Sequence, residues 1–312
     1  MVEDRIEYQI EITPKVRRQI QLIQLEILIE IDRICRKNDI PYRITGGTLL
    51  GAIRHKGFIP WDPDADVGMN RMYYEKFYEV CKTDLDTERF FFQDWRTDPN
   101  YRWMYGRILR KDTEFVRAGH EHLGQKTGVF VDLLCSDAVP DIAILRPFHC
   151  FACFACRKIL WSKVGKKLHN NWFLRKWYAF LSLIPRDWVF KFIYGMIGCM
   201  SKKPHRINRN LAHKVSKHSK SPWGYPVANY AECLANSGDA KKAISRLVNV
   251  EFEGYTFYAV QNYELSLKNC YGNYMELPPK EKRVTHIPCS KLKLTIPRID
   301  NYDELMKKVY EE

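Results

Sequence analysis

Apolar side chains fall at Val16, Ile20, Ile23, Ile27, Ile31 and Ile34, a spacing of three and four that predicts a helix over 14–38 with one face on a core. Pro14 suits its first turn and Asn38-Asp39 its end. The segment ITGGTLLGAIRHKGFIPWDPDADVGM then reads as a short strand, a glycine turn, a helix or loop, and a second strand carrying carboxylates. RMYYEKFYEVCK over 71–82 predicts a helix, and FFFQDW, RWMYGRILRKDTEFV and GVFVDLLCSDAV, rich in β-branched and aromatic residues, predict successive strands. That alternation implies an α/β or α+β sheet. From about 141 to 220 the strand pattern stops and Trp, Phe and Ile mix with Lys/Arg clusters, which predicts a helical insertion. GYTFYAVQ returns to a strand, followed by a helix from Tyr263 to Tyr271 and a Pro-rich ending. The expected division is a catalytic core over 1–140, the insertion over 141–220, and a part over 221–312 that completes the catalytic domain.

Composition adds partners and compartment. A chain of 312 residues, 46% hydrophobic and 28% charged, can bury a substantial core. The net charge of +13, from 50 basic and 37 acidic residues, favours anionic partners. MVEDRIEYQIEITPK lacks the basic patch and apolar run of a secretory signal, so the expectation is a cytoplasmic protein, with the inner membrane face as a further option. Ten cysteines then read as free thiols. Cys150, Cys153 and Cys156 have part of an iron–sulfur ligand spacing, but no fourth ligand is adjacent and the intervening Phe and Ala residues suit an apolar helix. In the insertion, Arg186, Asp187 and Lys191 break the best apolar run, so no membrane span is expected. Basic residues among Trp172, Trp177 and Trp188 permit a helix lying on a membrane surface. A subdomain that buries its own aromatics is the other reading.

The candidate chemistry centres on Asp64 and Asp66. Residues two apart in a strand share a face, so both face one cleft while Ala65 and Val67 face the core. Two hard oxygen ligands so placed suit Mg²⁺ or Mn²⁺ with phosphate oxygens completing the shell. Pro63 belongs at a strand's first position, which puts the strand start near Asp64 and leaves Asp62 as an outer member. Gly46, Gly47 and Thr48 let backbone N–H groups approach a phosphate at a helix start. Asp132, in an apolar strand between Val131 and Leu133, needs a metal, a proton to handle or a hydrogen-bonded structural role. The order of Gly-Gly, alternating Asp and a later strand Asp resembles the nucleotidyltransferase fold, which implies a mixed sheet flanked by helices.

A longer stretch is more specific. GGTLLGAIRHKGFIPWDPDADVGMNRMYYEKF resembles the signature of the LicD family, similar to fukutin-type phosphotransferases, whose pattern is GTLLGAxRHxGFIPWDDDxDxxM. GVFVDLLCSDAVP and YGNYMELPPKEKRVTH resemble its second and third blocks. The family has Asp where this chain has Pro63, and often Asp at Asn273; the alternating set Asp62, Asp64 and Asp66 stays intact. The resemblance implies transfer of phosphocholine or another phospho-alcohol from a CDP-linked donor, CDP-choline first among them, to a sugar hydroxyl of a cell-surface glycan precursor such as lipopolysaccharide, teichoic acid or capsule, free or lipid-linked. It implies metal binding by Asp64, Asp66 and Asp132, or Asp132 as the base. It makes Arg54, His55 and Lys56 candidates for donor phosphates, and Trp61 a candidate to stack on the base or the alcohol. Arg107, Asp112, Arg283 and His286 lie in matching blocks and are expected along the cleft. Two other readings stay open: a nucleotidyltransferase that releases pyrophosphate, and a membrane-surface scaffold without catalysis. A nucleic-acid-binding module is not expected, because it assigns no task to the three aspartates.

Overall fold

The computed structural model describes residues 10–140, 142–200, 206–208, 239–240, 246–285 and 288–308. Helix α1 (Pro14–Lys37) starts at Thr13, whose hydroxyl accepts from the Val16 N–H, and ends at Asn38. The predicted apolar stripe is buried from Ile20 to Ile34, but so are Arg17, Arg18, Gln21, Gln24, Glu26 and Glu30. α1 is therefore an interior helix, and buried polar groups require partners. Arg18 forms a two-pronged ion pair with Glu253, both contacts at 2.8 Å. Glu26 receives Arg110 and Arg89, each at 2.9 Å.

The chain continues through β1 (Arg43–Ile44), α2 (Gly46–His55), β2 (Asp66–Asn70), α3 (Arg71–Asp84), β3 (Phe90–Gln93), β4 (Gly106–Arg110), β5 (Glu114–Arg117) and β6 (Phe130–Val139). Helices α4 (Arg146–Leu168), α5 (Trp172–Leu181) and α6 (Arg186–Met200) follow, then the short strands β7 (Arg206–Asn208) and β8 (Asp239–Ala240). The hairpin β9 (Leu247–Phe252) and β10 (Tyr255–Val260), helix α7 (Tyr263–Tyr271), strand β11 (Cys289–Lys293) and helix α8 (Tyr302–Lys307) complete the described chain.

The central sheet has the order β1-β2-β6-β4-β3, with β7 and β8 extending from β6. β2 and β6 are parallel and the other pairs antiparallel, so the sheet is mixed, as the α/β reading expects. One face carries Val67, Met69, Ile108, Val131 and Leu133 into the main core beside Leu25 and Leu28 of α1 and Phe77 of α3. Pleating sends Asp66, Asp132 and Arg107 to the opposite face.

Three expectations change in detail. The stretch 102–116 is two strands, because Asp112 turns the chain in the left-handed region at φ 61°. The carboxylate strand begins at Asp66 rather than Asp64. Its backbone pairing with β6 starts with the Asp132 N–H donating to Ala65 O, and Pro63 O is taken by a side chain of α1. Within 141–220 there is a strand after all, β7, antiparallel to the end of β6.

The insertion docks on the loop after β3. Trp95 stacks on Phe190 at 5.0 Å between ring centres, and Arg186 donates to the carbonyls of Trp95, Asp98 and Tyr101. Cys153 and Cys156 pack with Leu160, Val189, Phe190 and Ile193 as buried thiols. Among the described residues no cluster of His, Cys, Asp and Glu able to hold a metal forms there. The insertion does not bury all its aromatics: Trp172, Phe173, Trp177, Phe180 and Trp188 are 51–69% exposed. No described helix is long and apolar enough to cross a membrane.

Candidate active site

The site is assembled where the start of α2 meets the start of β2. Residues 63 to 67 alternate buried and half-buried, so Pro63, Ala65 and Val67 point inward and Asp64 and Asp66 point to the cleft. Register places Asp66 beside Asp132 on β6, and Asp132 beside Arg107 on β4. Paired residues share a face, so Asp66, Asp132 and Arg107 form a row across three strands.

Arg107 Nε meets Asp132 Oδ1 at 2.6 Å with both side chains largely buried, and its guanidinium lies 3.8 Å from the Phe130 ring centre. Burial pushes the Asp132 carboxyl above the usual range and Asp64 adds to that, while Arg107 and then Arg117 pull it back without cancelling the rise. Asp62 is held well above the usual carboxylate range by burial, by the charge of Asp64, by a hydrogen bond shared with Asp64, and by Asp66. Negative charge is thus crowded where α2 begins.

The glycines are required by that crowding. A Cβ at Gly47 would stand 2.4 Å from Asp62 Oδ2, and one at Gly46, whose φ is +60°, 3.1 Å from Asp66 Oδ2. The first turn of α2, with its unpaired N–H groups, therefore faces the carboxylates directly. Thr48 spends its hydroxyl oxygen on the Asp66 N–H at 2.8 Å, so its side chain fixes the strand start.

Several bracing residues are not visible in the motif. Gln21 donates to the carbonyls of Ile59 and Asp62, and Gln24 to those of Pro63 and Phe130. Glu253, at the tip of the β9–β10 hairpin, accepts from the Phe58 N–H at 3.0 Å while paired to Arg18. Gly57 is needed beneath it, since a Cβ there would be 2.4 Å from Glu253 Oε1. The only local hint is the polar side chains that interrupt an apolar helix face. Their partners lie about 40 to 235 residues away.

The other candidates divide. Arg54 donates to the carbonyls of Tyr274 and Glu276, which ties α2 to the third motif block. His55 is pushed down to about 4 by burial and then by Arg54, so it is neutral near pH 7. Lys56 closes α2 in the left-handed region at φ 56°. Trp61 is half-buried, edge-on to His55 at 6.1 Å, with the Arg283 guanidinium 5.5 Å from its ring centre. Asp112 is an exposed turn residue rather than a cleft residue. His286 lies outside the described residues.

Whether these groups fit a divalent cation turns on the donor set. Among the described residues no three His, Cys, Asp or Glu side chains converge as a closed cage, and Arg107 already neutralises Asp132. Paired acidic oxygens at Asp64 and Asp66, with like charge raising their neighbour Asp62, do fit a hard cation that keeps water and substrate oxygens in its shell. On the far side of Arg107 a cavity of about 680 Å³ opens between β4, β5, residues 120–128 and α4.

Comparison with known proteins agrees with the motif. Residues 39–127 match the family model described as LicD/FKTN/FKRP, nucleotidyltransferase domain. The lipopolysaccharide cholinephosphotransferase LicD of Haemophilus influenzae is 29% identical over 279 residues, covering 86% of this chain and 95% of that protein. An uncharacterised Rickettsia prowazekii protein is 35% identical over 20% of this chain and 30% of its own length. A second, from Rickettsia typhi, is 46% identical over 14% of each.

Proposed function

The chain belongs to the LicD family, and on that premise we propose that it is a phosphotransferase that moves phosphocholine, or a similar phospho-alcohol, from a CDP-linked donor to a sugar hydroxyl of a cell-surface glycan. The observation that carries the proposal is the row Asp66–Asp132–Arg107 set against the glycine start of α2. Acidic oxygens beside backbone N–H donors support this reading, because phosphoryl transfer needs a proton acceptor, neutralising charge and donors to phosphate oxygens.

The acceptor hydroxyl attacks the phosphorus that bears the alcohol; a new P–O bond forms, the diphosphate P–O bond breaks, and CMP leaves. Asp132 takes the hydroxyl proton. Its carboxyl, raised by burial but kept oriented by Arg107, is a stronger base than an exposed aspartate and cannot swing away. Asp64 and Asp66 would hold Mg²⁺ or Mn²⁺, which supplies neutralising charge for the diphosphate. The first N–H groups of α2 donate to the donor's phosphate oxygens at the helix's positive end. Trp61, between His55 and Arg283, offers a ring face for the donor's base or cationic alcohol.

The insertion supports a peripheral contact with membrane, which suits a lipid-linked acceptor. Its exposed Trp172, Trp177 and Trp188 belong to a segment, 142–200, in which ten Lys and Arg face a single acidic residue, Asp187. Exposed aromatic side chains in a strongly basic segment favour an anionic interface.

The products test the reaction. Purified protein given CDP-choline and an acceptor glycan should release CMP only when acceptor is present. Pyrophosphate released from CTP would instead identify a nucleotidyltransferase and overturn the proposal.

A further inference from the structure

The carboxylate row has different surroundings on its two sides. Beyond Asp66 lies the glycine start of α2, which crowds Asp62 and Asp66. Beyond Asp132 lies the 680 Å³ cavity, whose wall begins with Arg107 itself. A group transfer needs a place for each of two substrates, and the proposed reaction assigns the phosphate donor to the α2 side.

The cavity's lining says what it holds. Arg117, Lys126, Arg157, Lys158 and Lys291 line it with Arg107, against only Glu114 and Glu121. Arg107 is neutralised by Asp132 and Glu121 is tied to the Gly119 N–H. Among the described residues Arg117, Lys126, Lys158 and Lys291 form no ion pair. Lys158 is half-buried next to Arg157, and burial together with that neighbouring charge lowers its pKa. Like charges brought together under partial burial are stabilised by a bound anion. The walls between them are aromatic: Trp103, Tyr105, Phe130 and Trp161. Flat apolar faces alternating with cations match a ring-shaped ligand that carries negative charge. The volume lies within the ~300–1,000 Å³ of small-molecule sites.

We propose that this cavity is the acceptor subsite, and that it takes an anionic saccharide, a sugar ring bearing a phosphate or carboxylate. The inference rests on the carboxylate row being the place of transfer. Arg107 then joins the two substrates, with its guanidinium on Asp132 and its flank in the acceptor cavity. Arg117, which bears electrostatically on Asp132, extends the same link from the next strand.

Calorimetric titration of the full chain with a hexose 6-phosphate, the corresponding hexuronate, the neutral hexose and CDP-choline tests this without turnover. At least one anionic sugar should bind, and the neutral hexose should bind at least about tenfold more weakly. Lys158→Ala should weaken the anionic sugar by about tenfold and leave CDP-choline unchanged, with Lys158→Arg restoring affinity. Glu114→Gln, which removes negative charge from the cavity, should tighten the anionic sugar, an arm that does not depend on Lys158→Ala folding. Failure of both anionic sugars to bind, or loss of CDP-choline affinity in Lys158→Ala, would overturn the proposal. If anionic-sugar affinity tracks Lys158 but no transfer occurs, the proposed reaction fails and with it the acceptor role, and the cavity stands only as an anionic-sugar site. If CMP is released with an acceptor KM unmoved by Lys158→Ala, the reaction stands and the cavity assignment is wrong.

Discussion

Replacing Arg107 by glutamine should destabilise the fold by about 3–5 kcal/mol, because it strips the partner from a largely buried carboxylate. The side chains of Arg107 and Asp132 are only 9% and 16% exposed and meet at 2.6 Å. At an effective dielectric of about 20, unit charges roughly 4 Å apart attract by about 4 kcal/mol, in line with that range. Replacing both partners, as Arg107→Met with Asp132→Leu, should recover most of the loss, since a buried pair is about as stable as apolar side chains of similar volume. Urea denaturation of wild type, Arg107→Met, Asp132→Leu and the double variant gives the coupling directly. If the double variant is destabilised by the sum of the singles, the pair contributes nothing through mutual contact and the reasoning fails. The same four proteins separate stability from chemistry, because the double variant should fold yet show no transfer. Transfer retained by the double variant would remove Asp132 from the mechanism.

Further outcomes follow from single features. Gly47→Ala should gain about 1 kcal/mol in helix propensity but place a methyl 2.4 Å from Asp62 Oδ2, costing about 1–3 kcal/mol of overpacking; melting should shift little while CMP release falls at least about tenfold, and full activity would contradict the crowding argument. His149 is buried and its pKa is pushed down by burial to about 4. Its folded value lies below its unfolded one, so its contribution is complete above pH ~6.5 and is lost as pH falls toward 4, up to about 3 kcal/mol; urea midpoints of His149→Leu should fall less over that window than wild type. Trp172→Ser/Trp177→Ser/Trp188→Ser should abolish co-sedimentation with phosphatidylglycerol-containing vesicles and leave the melting temperature near wild type, and undiminished vesicle binding would refute the membrane contact.

What is legible in the sequence is local. The three-and-four spacing locates α1 to within a residue at its end, and the predicted ends of α7 match the structure, because both depend on periodicity and stop signals within one turn. The side-chain alternation around Asp64 and Asp66 is also readable, since it needs only a period of two. The strand start is not: Pro63 indicates Asp64, but the start is set by Thr48 and Gln24, which reach the segment from α2 and α1. Asp112 reads as part of a strand because nothing around it advertises a positive φ. Glu253 and the lining of the acceptor cavity are invisible for a related reason, as their partners come from segments distant in the chain whose juxtaposition only the sheet order reveals. Asp132 stands out because a carboxylate in an apolar strand is anomalous by itself. That Arg107 is its partner requires the register of β4 on β6.

The central claim is that the carboxylates at the start of α2 carry out transfer, and Asp66→Asn tests it most directly. The substitution keeps the side chain's size beside Gly46 and Asp132 and removes its charge. With CDP-choline, an acceptor glycan and Mg²⁺, wild type should release CMP in step with acceptor modification, and Asp66→Asn should lower that rate by at least about a thousandfold, ~4 kcal/mol of barrier, with an unchanged melting temperature. Wild-type rates from a folded Asp66→Asn protein would contradict the account.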